Sequence, residues 1–447
     1  MYSFRSKIVV LLSLMAGFVG AQNSQNIQPN GNSPYSRFGL GDPVNQSYAA
    51  LTGLGGIGAT FYDPYHLNSL NPASLGHLRA TSFEVGFFGK YANLQGRNTS
   101  SDIWSGNLNY LALGFPLINP IGKALDKSKS PWEVGMSFAL QPYTTVNYNV
   151  ESKEEQGELG LVSSIFKGTG GTYRILWGNG VKYKNLSLGV NLGYLFGKIS
   201  NSRRIEFDSI EVSYGTEFLD EISINGFIWN LGAQYTLELD KYDPNKTNLF
   251  PRRLIIGATA HSSNSFTTNS SRFYQRNSFS YGVIDTLINE KGVKREGTLP
   301  SEWTLGLMYE KVNKFKIGAE YSQSYWSEYE NEVKPESLSD AKRLAVGMEF
   351  IPEFNAYDSY LRRARYRLGF VYATDPRSFE SDQIEEYIVT IGIGFPIIMP
   401  RQQVSFINLS VEAGQFGISN AIQENFVKMT LGFTLNDNTW FFKRKFN

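Results

Sequence analysis

From residue 80 to residue 437, segments of about ten residues set apolar side chains at every second position against small or polar ones, the pattern of membrane-crossing β-strands. Leu186, Leu188, Val190, Leu192, Tyr194 and Phe196 fall on one face, with Ser187, Gly189, Asn191, Gly193 and Gly197 on the other. Phe227, Trp229, Leu231, Ala233, Tyr235 and Leu237 repeat the arrangement against Asn230, Gly232, Gln234, Thr236 and Glu238. The pattern predicts fourteen strands, at 80–95, 104–117, 132–150, 171–183, 185–203, 223–240, 252–268, 301–312, 314–327, 343–352, 364–375, 384–398, 403–414 and 426–437. The number is even, as single-chain bacterial barrels require. If the first strand leaves the periplasm, the connections on that side (118–131, 184, 241–251, 313, 353–363, 399–402) are short or moderate. Those on the other side (96–103, 151–170, 204–222, 269–300, 328–342, 376–383, 415–425) are mostly longer and polar. A soluble sandwich has no reason to sort connections by parity, whereas an outer-membrane barrel places short turns inside and long loops outside. The expected fold is all-β: a transmembrane antiparallel β-barrel of about 14 strands with an N-terminal hatch or plug.

Local details agree with membrane placement. Phe115-Pro116-Leu117-Ile118-Asn119-Pro120 recurs as Phe395-Pro396-Ile397-Ile398-Met399-Pro400, each at the periplasmic end of a descending strand, where proline ends a ladder that stops anyway. Trp104, Trp132, Trp177, Trp229, Trp303, Trp326 and Trp440 fall mostly near strand ends, as interfacial aromatic rings do. The last strand, with Val427, Met429, Leu431, Phe433 and Leu435 outward, lies close to an aromatic C-terminus, which resembles the recognition signal of the barrel assembly machinery.

The N-terminus predicts the compartment. Arg5 and Lys7 precede an apolar run from Ile8 to Val19, and Val19-Gly20-Ala21 supplies small residues before Gln22, so residues 1–21 read as a cleaved secretory signal. Residues 22–79 are rich in Asn, Ser, Gly and Pro, lack the strand pattern, and read as a hatch or plug inside the barrel formed by residues 80–447. Within them, Gly53-Leu54-Gly55-Gly56-Ile57-Gly58-Ala59, Asp63-Pro64, Asn68 and Asn71-Pro72-Ala73-Ser74-Leu75 resemble the hatch start of FadL-type transporters of fatty acids and hydrocarbons and of their PorV-like relatives. The resemblance implies Asn71, Pro72 and Ala73 as the hatch motif. It also implies passive uptake of a small hydrophobic compound, held against the hatch and released sideways through a gap at a kinked strand. A PorV-like relative would instead be an accessory or plug subunit of a protein-secretion translocon, working through protein contacts. The expected surroundings are outer-membrane lipid with a small hydrophobic ligand or translocon proteins.

Composition narrows the chemistry. With 42 Lys+Arg against 41 Asp+Glu there is no basic excess to bind nucleic acid. The chain has no Cys, which removes thiol nucleophiles, disulfides and thiolate metal sites. Gly53–Gly58 spells a dinucleotide fingerprint, but no strand precedes it and no βαβ unit surrounds it. His66, His77 and His261 lack zinc-ligand spacing. His261 precedes Ser262 and Ser263, yet adjacent strand residues face opposite ways, so no hydrolase arrangement follows, and neither an enzyme nor a cofactor is expected. Candidate pocket residues are apolar side chains that the alternation turns inward: Phe88, Ile228, Met308 and Val371. Glu84, Glu133, Glu238, Glu310, Glu320 and Glu349 also turn inward, with Lys90, Lys316, Arg365 and Arg367 to pair them. These charges read either as an ion-selective lumen or as a network tying wall to plug.

Overall fold

In the computed structural model the described residues are 33–437, apart from 97–99, 119–130, 156, 158–159, 208–213, 241–249, 279–281, 357, 380–381, 400–402 and 419–421. The expected signal sequence, Asn119-Pro120, Pro400, Trp440 and the aromatic C-terminus lie outside them. Among the described residues, fourteen of the eighteen strands close the barrel. The first seven are β2 (Thr81–Gln95), β3 (Ser100–Pro116), β4 (Trp132–Glu155), β5 (Leu161–Tyr183), β6 (Leu186–Phe207), β7 (Tyr214–Glu238) and β8 (Arg252–His261). The rest are β11 (Glu302–Lys311), β12 (Phe315–Ser324), β14 (Ala341–Phe350), β15 (Arg365–Phe379), β16 (Asp382–Met399), β17 (Gln403–Gly417) and β18 (Gln423–Asp437). Each pairs antiparallel with the next, and β18 returns to β2 from Asp437↔Thr81 to Gln423↔Gln95, so the ring has no end. All fourteen coincide with strands expected from the alternation.

Polarity is inverted relative to a soluble protein. Leu188 is 53% exposed while its neighbour Ser187 is 1% exposed, and along the final strand Leu435 is 53% exposed beside a buried Thr434. An apolar outer belt over a polar, enclosed inner face is stable only where lipid replaces water outside. The barrel is an integral outer-membrane protein. Its shortest periplasmic turns carry Lys184 at φ 53° and Asn313 at φ 60°, the left-handed geometry that lets two strands reverse within two or three residues.

Two features do not follow from the alternation. The segment 252–268, read as one strand, divides at Ser262-Ser263: β8 ends at His261 opposite Glu302 of β11, and β9 (Asn264–Ser278) begins a hairpin with β10 (Gly282–Leu299). Residues 269–300, read as a loop, are therefore mostly strand. This hairpin pairs with the outer half of β7, from Gly226↔Phe266 to Tyr214↔Ser278, while the inner half of β7 pairs with β8. Polar composition hid it, because a ladder outside the membrane needs no greasy face. The outer parts of β4 to β7 likewise run on beyond their expected ends, and with β9 and β10 they form a sheet above the barrel.

The second feature is a parting of the wall. β3 and β4 pair only from Pro116↔Gly135 to Leu111↔Leu140, whereas β2 and β3 stay paired as far as Gln95↔Ser100. A bulge between Gly86 and Phe87 places Asn109 out of register in β3, and β4 has its own irregularity between Pro142 and Thr144, where proline has no N–H to give. Above Leu111 the two strands separate. The vacated edge of β4 is partly taken by β1 (Asp42–Pro43), paired with Thr145 and Thr144.

Candidate functional site

Residues 33–80 lie inside the ring, touching strands on all its sides. Glycine makes this possible. Inward-facing Gly135, Gly180, Gly189 and Gly232 stand opposite one another across β4 to β7, and Gly318, Gly347 and Gly369 do the same across β12, β14 and β15. A Cβ at Gly135 would overlap the Leu75 carbonyl oxygen, one at Gly180 or Gly189 would meet Pro72, one at Gly232 the Asn71 amide, one at Gly257 the Ala59 carbonyl, and one at Gly347 the Leu54 carbonyl. The segment thus packs main chain against main chain around the wall.

Asn71, Pro72 and Ala73 lie on this girdle. Asn71 accepts the Ala73 N–H at 3.0 Å and so caps the short helix Pro72–His77, while its Nδ2 donates to Ala59 O at 2.6 Å. Gln234 Nε2 donates to the same carbonyl at 2.9 Å. In the Gly53–Gly58 run, Gly55 and Gly56 adopt φ 70° and 72°, conformations that favour glycine, and the Gly55 N–H donates to Thr390 Oγ1 at 3.1 Å. The Gly58 and Ala59 N–H groups both donate to Glu320 Oε2, at 2.8 and 2.6 Å.

Charges tie the same segment to the wall, through Arg365 and Asp63, and tie the wall strands to one another. Arg365 donates to Asp63 at 2.6 Å, Arg367 to Glu349 at 2.7 Å, and Lys316 lies 3.3 Å from Glu310 and 3.9 Å from Glu349. Glu320 pairs with Arg343 rather than with Lys316, its same-face neighbour on the strand. Glu84 accepts the Leu67 N–H at 2.7 Å. Burial alone would raise the Asp63 carboxyl, but Arg365 and His66 hold it well below the usual carboxylate range. His66 is pushed down by burial and is neutral: Asn408 Oδ1 accepts from Arg367, so its amide N–H faces His66 Nε2 at 3.1 Å, leaving Nδ1–H for Asp63 at 3.1 Å. Burial likewise holds His77 well below its ordinary value, against Ser187 at 3.0 Å and stacked on Tyr62. At the rim, His261 faces the Ser262 carbonyl and Ser262 Oγ donates to Ser263 O, so the two do not engage each other.

Above the segment is a cavity of about 590 Å³. Of the candidate pocket residues, Phe88, Ile228 and Val371 line it, together with Ile388, Phe416 and Phe426. Met308 does not: it is buried with Ile57 and Ile255 in the packing between wall and segment. Charges also line the cavity, a feature that alternation alone does not rank. Lys90 pairs with Glu424, Lys428 with Glu412 at 3.1 Å, and Arg377 with Asp42 and Asp375. The cavity reaches the parting of the wall, since Ile103, Ser105, Asn107 and Leu108 of β3 and Pro142 to Thr145 of β4 all line it.

A family model described as BamG matches residues 4–447. The chain belongs to the BamG family. No curated protein matches it. Among solved structures it is similar to a Pseudomonas aeruginosa FadL homologue (13% identity, 87% of this chain and 98% of that one, TM-score 0.53) and to the Ralstonia pickettii toluene transporter TbuX (13%, 87% and 98%, 0.51). It is also similar to the P. putida toluene transporter TodX (13%, 88% and 99%, 0.51). This BamG-family chain therefore has the FadL-type fold over nearly the whole length of those proteins.

Proposed function

We propose that the protein is an outer-membrane channel that takes small hydrophobic compounds from outside into the 590 Å³ cavity and passes them sideways through the parting between β3 and β4. The observation that carries this reading is the continuity of the two spaces: residues on both lips of the parting line the same cavity. Residues 33–80 act as a plug in this reading. Seated on the glycine girdle and held by the buried Arg365–Asp63 pair, the plug leaves the lateral route as the open one. An apolar ligand gains about 0.8 kcal/mol for each CH₂ moved from water onto surfaces such as Phe88, Ile228 and Val371. The similarity to the toluene transporters TbuX and TodX supports the same substrate class.

The chain has no cysteine, so Ser105→Cys creates a unique label site on the β3 lip. The unlabelled variant in proteoliposomes is expected to accumulate a fluorescent fatty acid or toluene normally, and a bulky maleimide on it to reduce the rate by about tenfold or more. Unchanged uptake after full labelling contradicts the lateral route. A second reading, a PorV-like accessory or plug subunit of a protein-secretion translocon, is favoured by the sheet of β4 to β7, β9 and β10 above the barrel. Isolation with a large protein partner and an empty cavity is the outcome it expects.

A further inference from the structure

We propose that the outer edge of β3, from Ser100 to Tyr110, is a docking edge for an extended segment of a partner protein, which adds a strand to the wall and closes the parting. One side of this stretch is fully paired with β2, from Gly86↔Tyr110 to Gln95↔Ser100. On its other side, among the described residues, no ladder joins it to β4 or to β1. The Leu108 N–H donates instead to Asn107 Oδ1 at 2.7 Å, a local acceptor in place of the missing strand. Residues of β1 and of this edge line one cavity, so open space rather than packed protein separates them.

The site requires main-chain groups as its complement. Trp104 is 70% exposed and Leu108 is exposed on the lipid side, and in hydrocarbon a row of unpaired amides and carbonyls is satisfied only by another strand or by water from the cavity. The facing lip shows which solution the fold accepts, because β1 is itself a short strand added antiparallel to β4 in the same parting. An added strand on β3 follows the same geometry. It runs from periplasm to exterior, with apolar side chains beside Trp104 and Leu108 and small or polar ones beside Ser105 and Asn107. This goes beyond the transport reading and does not depend on it; a docked strand would shut the lateral route and make release conditional on the partner.

The test uses the full-length protein in its native outer membrane, with a photo-crosslinking benzoylphenylalanine in place of Trp104 or of Leu108. Both positions are expected to capture a single peptide sequence. The residue reached from position 104 should lie about four residues C-terminal to the one reached from 108, as antiparallel pairing dictates. Leu108→Pro, which removes the edge N–H, should lower capture from position 104 by about tenfold while the heat-modifiable barrel band keeps its intensity. Adducts only with lipid, adducts scattered over unrelated proteins, or the reverse residue order overturn the proposal. If Leu108→Pro fails to assemble, the residue order in the otherwise unaltered protein decides. Loss of uptake on labelling Ser105→Cys without an ordered peptide adduct sustains the transport reading and rejects docking; the converse result does the opposite.

Discussion

Gly257 shows what a single position does in this barrel. Its missing Cβ leaves room for the Ala59 carbonyl, which Asn71 and Gln234 hold in place. Gly257→Val puts branched carbon into that oxygen and should weaken the seating of residues 33–80 by roughly 1–3 kcal/mol. The expected signature is faster protease cleavage within that segment, with barrel heat-modifiability unchanged. His66 and His77 add a pH dependence. Both are neutral when buried, with pKa values lowered below those they have when exposed, so the unseated state takes up protons first as pH falls. Seating should be full above about pH 6.5 and weaken below it. Asp63, whose pKa is also lowered, adds a further loss only as pH falls below about 4, because its stabilisation is present above the value of a free carboxyl. Hydrogen exchange in residues 48–78, corrected for intrinsic rate, should be faster at pH 5 than at pH 7.5. Equal protection at the two values contradicts the assignment. At this scale the sequence was legible in part. Small inward residues such as Gly189 and Gly232 follow from alternation, but that they meet the main chain at Pro72 and the side chain of Asn71 depends on residues over a hundred positions away.

At the scale of elements, the strands that face lipid were readable because burial in hydrocarbon imposes a period of two on each of them. The β9–β10 hairpin was not, since its neighbours are water and other polar strands, and neither selects apolar residues. Its independence from the barrel gives a prediction. Removing residues 264–299 and joining β8 to β11 with a short Gly-Ser turn should leave a detergent-stable, heat-modifiable barrel, because β11 pairs with β8 from His261↔Glu302 to Arg252↔Lys311 without the hairpin. Loss of the folded band would show that the hairpin is needed for closure. The resemblance implied a gap at a kinked strand, but that β3 and β4 are the strands that part was hidden: a bulge is a mismatch between two strands, and neither strand alone records it.

For the molecule as a whole, closure is the decisive property. The β18–β2 ladder spans Asp437↔Thr81 to Gln423↔Gln95, so truncation before Gln423 opens two edges within the membrane and should abolish the heat-modifiable band and membrane integration together. Substitutions on the hairpin should do neither. Period-two alternation is a local constraint, written into each short segment by the solvent on its two faces. The number of barrel strands and their outward faces could therefore be read directly from the chain. The seating of that segment on the girdle, the charged lining of the cavity and the unpaired edge of β3 arise from contacts between residues far apart in the chain. Such contacts are set by register and by closure of the ring, and they take form only when the barrel does.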